Sequence, residues 1–225
     1  MQLGLPAAPQ PENLRAKMMS ARRPKIVSFL TLNARSLFNK IEELHTVIKT
    51  FNPVFISVQE TWCTPKEPDS LYRIPNYTLH RRDRQDRPGG GVCIYVNDEL
   101  VSAACRRTDL ESSNEDLWIK LTITALSSPL MVCTSYRPPN SAISQYAREL
   151  EKSVATVKQM QCSMIITGDM NGHHSQWYAN DQTDNEGEHL HQLFTTYGLD
   201  QLVTFPTHIH QNTLRGCIDL VFTDL

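Results

Sequence analysis

No stretch of this 225-residue chain approaches the ~18 consecutive apolar residues that span a bilayer. Met1 to Gln10 have neither a basic start nor a sustained apolar core, so they do not read as a secretory signal peptide. Charge of one sign is not in excess: 22 Lys and Arg stand against 24 Asp and Glu, a formal charge of −2 with His neutral. That excludes a uniformly basic nucleic-acid coat but leaves room for a local basic patch. No C-x-x-C pair occurs among the six cysteines, at 63, 93, 105, 133, 162 and 217, and the chain is too long to depend on a disulfide scaffold. Cys93, Cys133 and Cys162 lie in or beside apolar runs, so buried reduced thiols in an intracellular protein are expected. No repeat period is visible, which sets aside solenoids and propellers. Gly89-Gly-Gly91 is followed by neither Lys-Ser/Thr nor a helical pattern, so it reads as a tight turn before a strand and not as a phosphate loop.

The composition that remains, 40% apolar and 20% charged, is that of an ordinary globular protein. The length suits one large domain plus a tail. Residues 1–24 supply the tail: Leu5 to Pro11 is Pro/Ala-rich, and Arg15 to Lys25 carries five basic and no acidic residues. Arg22-Arg23-Pro24-Lys25 reads either as solvated tail or as a nuclear signal or nucleic-acid contact, and a nuclear location is expected. Order is expected over 25–225. Ile26 to Leu32 reads as a strand, Ser36 as the cap of a helix carrying Leu37, Ile41, Leu44 and Ile48, and Val54 to Val58 as a buried strand after Pro53. Val92 to Val96, Leu117 to Ile123 and Leu130 to Tyr136 read as consecutive strands. Ile143, Tyr146, Leu150, Val154 and Val157 mark one helix face, Met164 to Thr167 a buried strand, Glu186 to Tyr197 a helix, and Ile218 to Thr223 a last strand. Strands and helices alternate at both ends of a β-rich middle, which predicts two packed sheets with helices outside.

Three predicted strand ends carry chemistry. Asn33 follows the first strand, Glu60 the strand over 54–58, and Asp169 with Asn171 the strand over 164–167. A carboxylate directly after an apolar strand is firmly held and partly desolvated, so it is expected to be paired, capped or metal-bound. Few, carboxylate-led oxygen ligands suit Mg²⁺, with retained waters and substrate phosphate filling its sphere. Asp169 and Asn171, two apart, can point the same way from an extended segment, one taking a proton from water and the other donating to an oxyanion.

These segments, in order, are Leu32-Asn33-Ala-Arg-Ser-Leu-Phe-Asn-Lys40, Val58-Gln-Glu60-Thr-Trp62, Gly89-Gly-Gly-Val-Cys-Ile-Tyr95, Tyr136-Arg-Pro-Pro139, Gly168-Asp-Met-Asn-Gly-His-His174 and Ile218-Asp219-Leu-Val-Phe222. Together they resemble the endonuclease/exonuclease/phosphatase superfamily over about 25–225. They are most similar to the apurinic-endonuclease-like endonuclease domain of non-LTR (LINE-type) retrotransposons. The Asn33-Ala-Arg-Ser-Leu37 start, Glu60-Thr-Trp62, and the Asp169 to His174 run with Trp177 point to that branch and not to repair enzymes. The resemblance implies a four-layered α/β sandwich of two mixed sheets with helices outside. It implies that Glu60 binds a divalent metal, Mg²⁺ or Mn²⁺, and that Asn33 helps hold the metal network and the phosphate. Asp169 would orient or deprotonate the attacking water, Asn171 and Tyr136 would contact the scissile phosphate, and Asp219 would orient a later histidine. The implied reaction is hydrolysis of DNA phosphodiesters leaving a 3′-hydroxyl, which in a retroelement primes a reverse transcriptase encoded in the same polyprotein.

That later histidine belongs to a Ser-Asp-His motif in the family, and no Ser-Asp-His occurs in this sequence. The resemblance therefore implies a domain cut before its last motif and last strand, with impaired catalysis. Arg81, Arg82, Arg84 and Arg87 place four cations in seven residues where DNA backbone can bind. His174 and Trp177, beside the Asp169 motif, are further candidate DNA contacts, as is Trp62 by stacking. The H-x-H pairs His189/His191 and His208/His210 lack a third ligand at zinc spacing, so zinc is not expected. Two other readings compete: a superfamily phosphatase or phosphodiesterase acting on another substrate, and a decayed or domesticated fragment that binds nucleic acid without cleavage.

Overall fold

The computed structural model describes residues 27–210 and 213–225. The tail expected over 1–24, its basic run, and Ile26 lie outside the described residues. The chain runs β1 (Phe29–Asn33), α1 (Ile41–Phe51), β2 (Phe55–Gln59), β3 (Tyr77–Arg82), β4 (Val92–Asn97), β5 (Val101–Arg106), β6 (Glu115–Ile123) and β7 (Leu130–Tyr136). It continues α2 (Ile143–Gln159), β8 (Ser163–Asp169), α3 (Asn185–Thr196), β9 (Asp200–Gln201), β10 (His208–His210), β11 (Thr213–Gly216) and β12 (Asp219–Thr223). One sheet has the order β1-β2-β4-β3 and the other β5-β6-β7-β8-β12-β9, with β10 and β11 forming a separate hairpin. β1 pairs parallel to β2 and β7 parallel to β8, each through a crossover helix, and the other pairs are antiparallel. Both sheets are therefore mixed, as the family resemblance implies, and they pack together as the sequence pattern predicts. Among the described residues β1 has a free edge, and all five of its residues are half-buried.

The layering follows from side-chain alternation along the strands. In β2, Phe55 faces the other sheet, while Ile56 and Val58 face α1 with Leu44, Tyr72 and Tyr95. In β7, Leu130 and Val132 face β2 and β4, while Met131 and Cys133 face α2 and α3 with Leu150, Val154 and Leu190. The two helix sides and the inter-sheet layer are three separate apolar clusters, giving helix, sheet, sheet, helix. Each fully buried aliphatic side chain contributes about 1.5–3 kcal/mol to holding these layers together. All six cysteines are free thiols, and Cys63, Cys93, Cys133 and Cys217 are buried. No helix among the described residues is long and apolar enough to cross a membrane.

Toward the strand C-termini the inter-sheet layer turns polar. Ser57 Oγ and Thr167 Oγ1 meet at 2.5 Å, and Gln59 Nε2 donates to Thr134 Oγ1 at 2.7 Å and to Ser57 Oγ at 3.0 Å. Gly168 lies in this region, and a Cβ there would stand 1.8 Å from the Ser135 carbonyl oxygen, so only glycine lets β7 and β8 approach.

Two expectations are corrected. Ser36 does not cap α1: its φ is +93°, and the helix is entered through a 3₁₀ turn at Phe38–Lys40. The segment after β1 is instead tied to the segment after β2, by Ala34 N to Gln59 O (2.9 Å), Ser36 N to Glu60 O (3.0 Å) and Leu37 N to Thr61 O (2.8 Å). Long-range pairing overrides the local cap. Asn171 is not extended. It takes a left-handed φ of +47° directly after the strand.

Candidate active site

Four polar residues meet where the two sheets come together. Asn33 ends β1, Glu60 follows β2, Asp169 ends β8 and Asp219 opens β12. Register brings them close: Asn33 lies opposite Gln59 in one sheet, and Asp219 lies directly opposite Asp169 in the other. Asn33 Nδ2 donates to Glu60 Oε1 at 2.7 Å and to Asp169 Oδ2 at 2.7 Å, so one amide bridges a carboxylate from each sheet. Glu60 sits at a left-handed φ of +49°, and its second oxygen accepts from Trp62 Nε1 at 3.1 Å. The two loops tied by the backbone bonds above are the ones carrying Asn33 and Glu60, which explains how the strained backbone there holds its place.

Electrostatics sharpen the picture. Burial, with Asp219 and Glu60 adding negative charge, pushes the Asp169 carboxyl up to about 7, against hydrogen bonds from Asn33 and the Asn171 amide that lower it. Burial also raises Asp219, opposed by the Thr207 hydroxyl and by the nearby His208 and Arg35 side chains. Asp219 Oδ1 is buried with no hydrogen-bond partner among the described residues. Burial and the charges of Glu60 and Asp169 raise Tyr136, so it stays a neutral phenol, with the Arg84 guanidinium 5.9 Å from its ring centre. Among the described residues no three acidic, imidazole or thiolate groups converge into a closed metal cage. Glu60 and Asp169 around a shared amide, with no ion pair to either among the described residues, instead fit a hard cation that keeps several waters.

Asn171 donates its backbone N–H to Asp169 Oδ1 at 3.2 Å and its side-chain Nδ2 to the Arg137 carbonyl at 2.9 Å. Two cavities flank the cluster. One, of about 560 Å³, is lined by Asn33, Arg35, Asp169, Phe205, His208 and Asp219. The other, of about 480 Å³, runs past Tyr136 between Arg84, Arg87, Asn114 and Gln145.

The structure brings together Asn33, Glu60, Tyr136, Asp169, Asn171 and Asp219, and it separates the residues expected on DNA. Arg81 pairs with Asp69 (2.8 Å) and Asp83 (3.5 Å), Arg82 with Asp116 (2.6 Å), and Arg84 with Glu115. Their charge is offset internally, so of the four only Arg87 is exposed and without an ion pair among the described residues. His174 and Trp177 are 5% and 6% exposed. The His174 ring stacks on His191 at 4.1 Å, and Trp177 packs edge-on against Phe222, so both are core residues and not DNA contacts. Trp62, 46% exposed beside Glu60, does stand at the site. Arg35, Phe205 and His208 were not singled out for this site from the sequence. The H-x-H pair at 208–210, just before the Asp219 segment, was the one signal for His208.

The family model of the Endonuclease/Exonuclease/phosphatase family matches residues 30–225. No curated protein sequence matches the chain. Among solved structures it is similar to the endonuclease domain of TRAS1, a telomere-specific non-LTR retrotransposon. That likeness has 16% identity and a TM-score of 0.66, over 88% of this chain and 84% of the other. It is also similar to an AP endonuclease from Archaeoglobus fulgidus, with 14% identity and a TM-score of 0.64 over 88% and 86%. A third likeness, with 14% identity and a TM-score of 0.66 over 88% and 86%, is to a 3′ phosphatase from Neisseria bound to a product DNA hairpin. With its two mixed sheets, its carboxylates at their joined C-terminal ends and the family match across 30–225, the chain belongs to the Endonuclease/Exonuclease/phosphatase family.

Proposed function

We propose that the chain is a divalent-cation-dependent endonuclease domain that hydrolyses DNA phosphodiesters, of the kind that nicks a target site for a non-LTR retroelement. The observation that carries this is the Asn33 amide held at 2.7 Å by both Glu60 and Asp169. Mg²⁺ or Mn²⁺ held by Glu60, with Asn33 beside it, would offset charge at the phosphate. The remaining work belongs to the chain's own groups. Asp169, poised near neutrality, takes a proton from the attacking water. Tyr136 stays protonated and donates to a phosphate oxygen. Asn171 has a second amide proton for the same purpose, the first being given to the Arg137 carbonyl. Water oxygen bonds to phosphorus, the bond to the 3′ oxygen breaks, and that oxygen takes a proton from solvent, leaving a 5′-phosphate and a 3′-hydroxyl that primes reverse transcription by a partner domain in the nucleus.

The retroelement reading is supported by the wording of the Asn33, Glu60 and Asp169 motifs. The similarity in fold to a retrotransposon endonuclease domain favours it as well. DNA would lie along the cleft past Tyr136 and Arg87, with Trp62 available for stacking. We infer further that the 225-residue chain is a weak catalyst. It contains no Ser-Asp-His, and Asp219 Oδ1 has no partner among the described residues. Incubation of supercoiled plasmid with purified chain tests the reading. Slow nicking is expected with Mg²⁺ and none with chelator or with Glu60→Gln. Release of phosphate from inositol phosphates without plasmid nicking would contradict it.

A further inference from the structure

We propose that Arg137 is a positioning residue for hydrolysis, acting through Asp169 and Asn171; this rests on the nuclease reading above. Arg137 follows Tyr136 at the end of β7 and is 1% exposed. Its guanidinium has no carboxylate partner among the described residues. It donates from Nε to the Met170 carbonyl at 2.7 Å, from Nη1 to the Ser141 carbonyl at 3.0 Å, and from Nη2 to the Asn171 carbonyl at 2.5 Å. The bonding is reciprocal: Arg137 N donates to the Asp169 carbonyl at 3.0 Å, and Asn171 Nδ2 donates to the Arg137 carbonyl at 2.9 Å. Four of these hydrogen bonds fasten residues 169–171 to Arg137 at the end of β7, and the fifth ties Arg137 to the turn before α2.

A guanidinium cannot shed its proton, and burying it without a counter-ion costs several kcal/mol. A neutral side chain would hold an ordinary turn at lower cost. The planar fork does what such a side chain does not: it fixes three carbonyls in one rigid plane. Two of those carbonyls belong to the residues directly after Asp169. Asn171 stands at φ +47°, a conformation that Asn tolerates but does not enforce. Without the fork this turn is free to relax, and both the Asp169 carboxylate and the Asn171 amide move with it.

Arg137→Lys keeps the charge and loses the fork. The expected result is a kcat for plasmid nicking lowered ~10–100-fold, with KM for DNA unchanged, the size of loss that small misplacements cause. The Asn171 amide should exchange with solvent at least ~10-fold faster while amides inside β7 and β8 keep their protection. In an Asn171→Ala background Arg137→Lys should cost less rate than it does alone, the remaining loss being the part that acts through Asp169. Unchanged Asn171 exchange, full additivity with Asn171→Ala, or a rise in KM alone would overturn the proposal. If the wild-type chain does not nick DNA, the nuclease reading falls, and the exchange comparison still decides whether Arg137 holds the turn. If Arg137→Lys does not fold, Arg137→Ala with millimolar guanidinium takes its place. Recovery of nicking with guanidinium but not ammonium supports the proposal, and recovery of folding without nicking overturns it.

Discussion

Asp169 sets stability against chemistry. Its carboxyl is held up at about 7 against an ordinary 3.8, mainly by burial and by Asp219 across the strand pair. Folding therefore favours the neutral acid, by about 1.4 kcal/mol for every tenfold gain in its proton affinity. The favourable contribution is full below about pH 4 and is lost as pH rises through about 7. Asp169→Asn fixes the neutral form and keeps an oxygen for the Asn33 amide. Its nicking rate should fall at least ~100-fold. In thermal melts the variant should be more stable than wild type at about pH 8, and the two curves should converge near pH 4. A lower melt at the higher pH would contradict the electrostatics described for the site. Asn33, Glu60 and Asp169 were legible in the sequence because each follows an apolar, β-prone run; Asp219, which opens its strand, and Tyr136 were named only through the family resemblance. Arg35, Phe205 and His208 were not, because Arg35 and Phe205 reach the site from loops, and His208 from the small hairpin strand β10, all placed by long-range contacts. His174 and Trp177 misled because residue types that suit DNA also suit a core: the imidazole stacks on His191 and the indole packs on Phe222.

At the scale of elements, strands buried on both faces announce themselves as apolar runs, and β2, β4, β7 and β8 lie where the pattern placed them. β3 and β5 were missed. Both are edge strands, β5 with four exposed residues in six, and the alternation in β3 lasts only from Tyr77 to His80 before Arg81-Arg82 breaks it, too short to read. The helix faces were legible from periodicity; the start of α1 was not, since cross-loop hydrogen bonds to residues 59–61 decide it. The β7–β8 contact gives an element-scale test. Gly168→Ala places a Cβ against the Ser135 carbonyl, a backbone atom that cannot step aside. A loss of about 2–3 kcal/mol or more is expected from this overpacking, read as a lower urea midpoint. An unchanged midpoint would show that the two strands can separate without cost. Activity should fall too, because Asp169 is the next residue.

The whole molecule makes the site by assembly. Asn33 and Glu60 belong to one sheet and Asp169 and Asp219 to the other, so the cluster exists only while the sheets stay packed. Charge on the exterior follows the same logic of placement. Arg87→Ala should weaken DNA binding and reduce the slope of log Kd against log salt by about one. Arg81→Ala should leave that slope unchanged and lower the melting temperature, because Arg81 is spent on Asp69 and Asp83. Equal effects on the slope would contradict this division of the basic run. The proposed hydrolysis takes place where the two sheets meet, beside an Asp219 oxygen that is unpartnered among the described residues. Magnesium-dependent nicking of supercoiled plasmid, measured with and without millimolar imidazole, tests it most directly. The expected result is slow nicking that imidazole accelerates at least ~10-fold, as a restored acid–base group would, and that Glu60→Gln abolishes. No magnesium-dependent nicking with or without imidazole would contradict the nuclease reading, and fast nicking indifferent to imidazole would contradict the impairment.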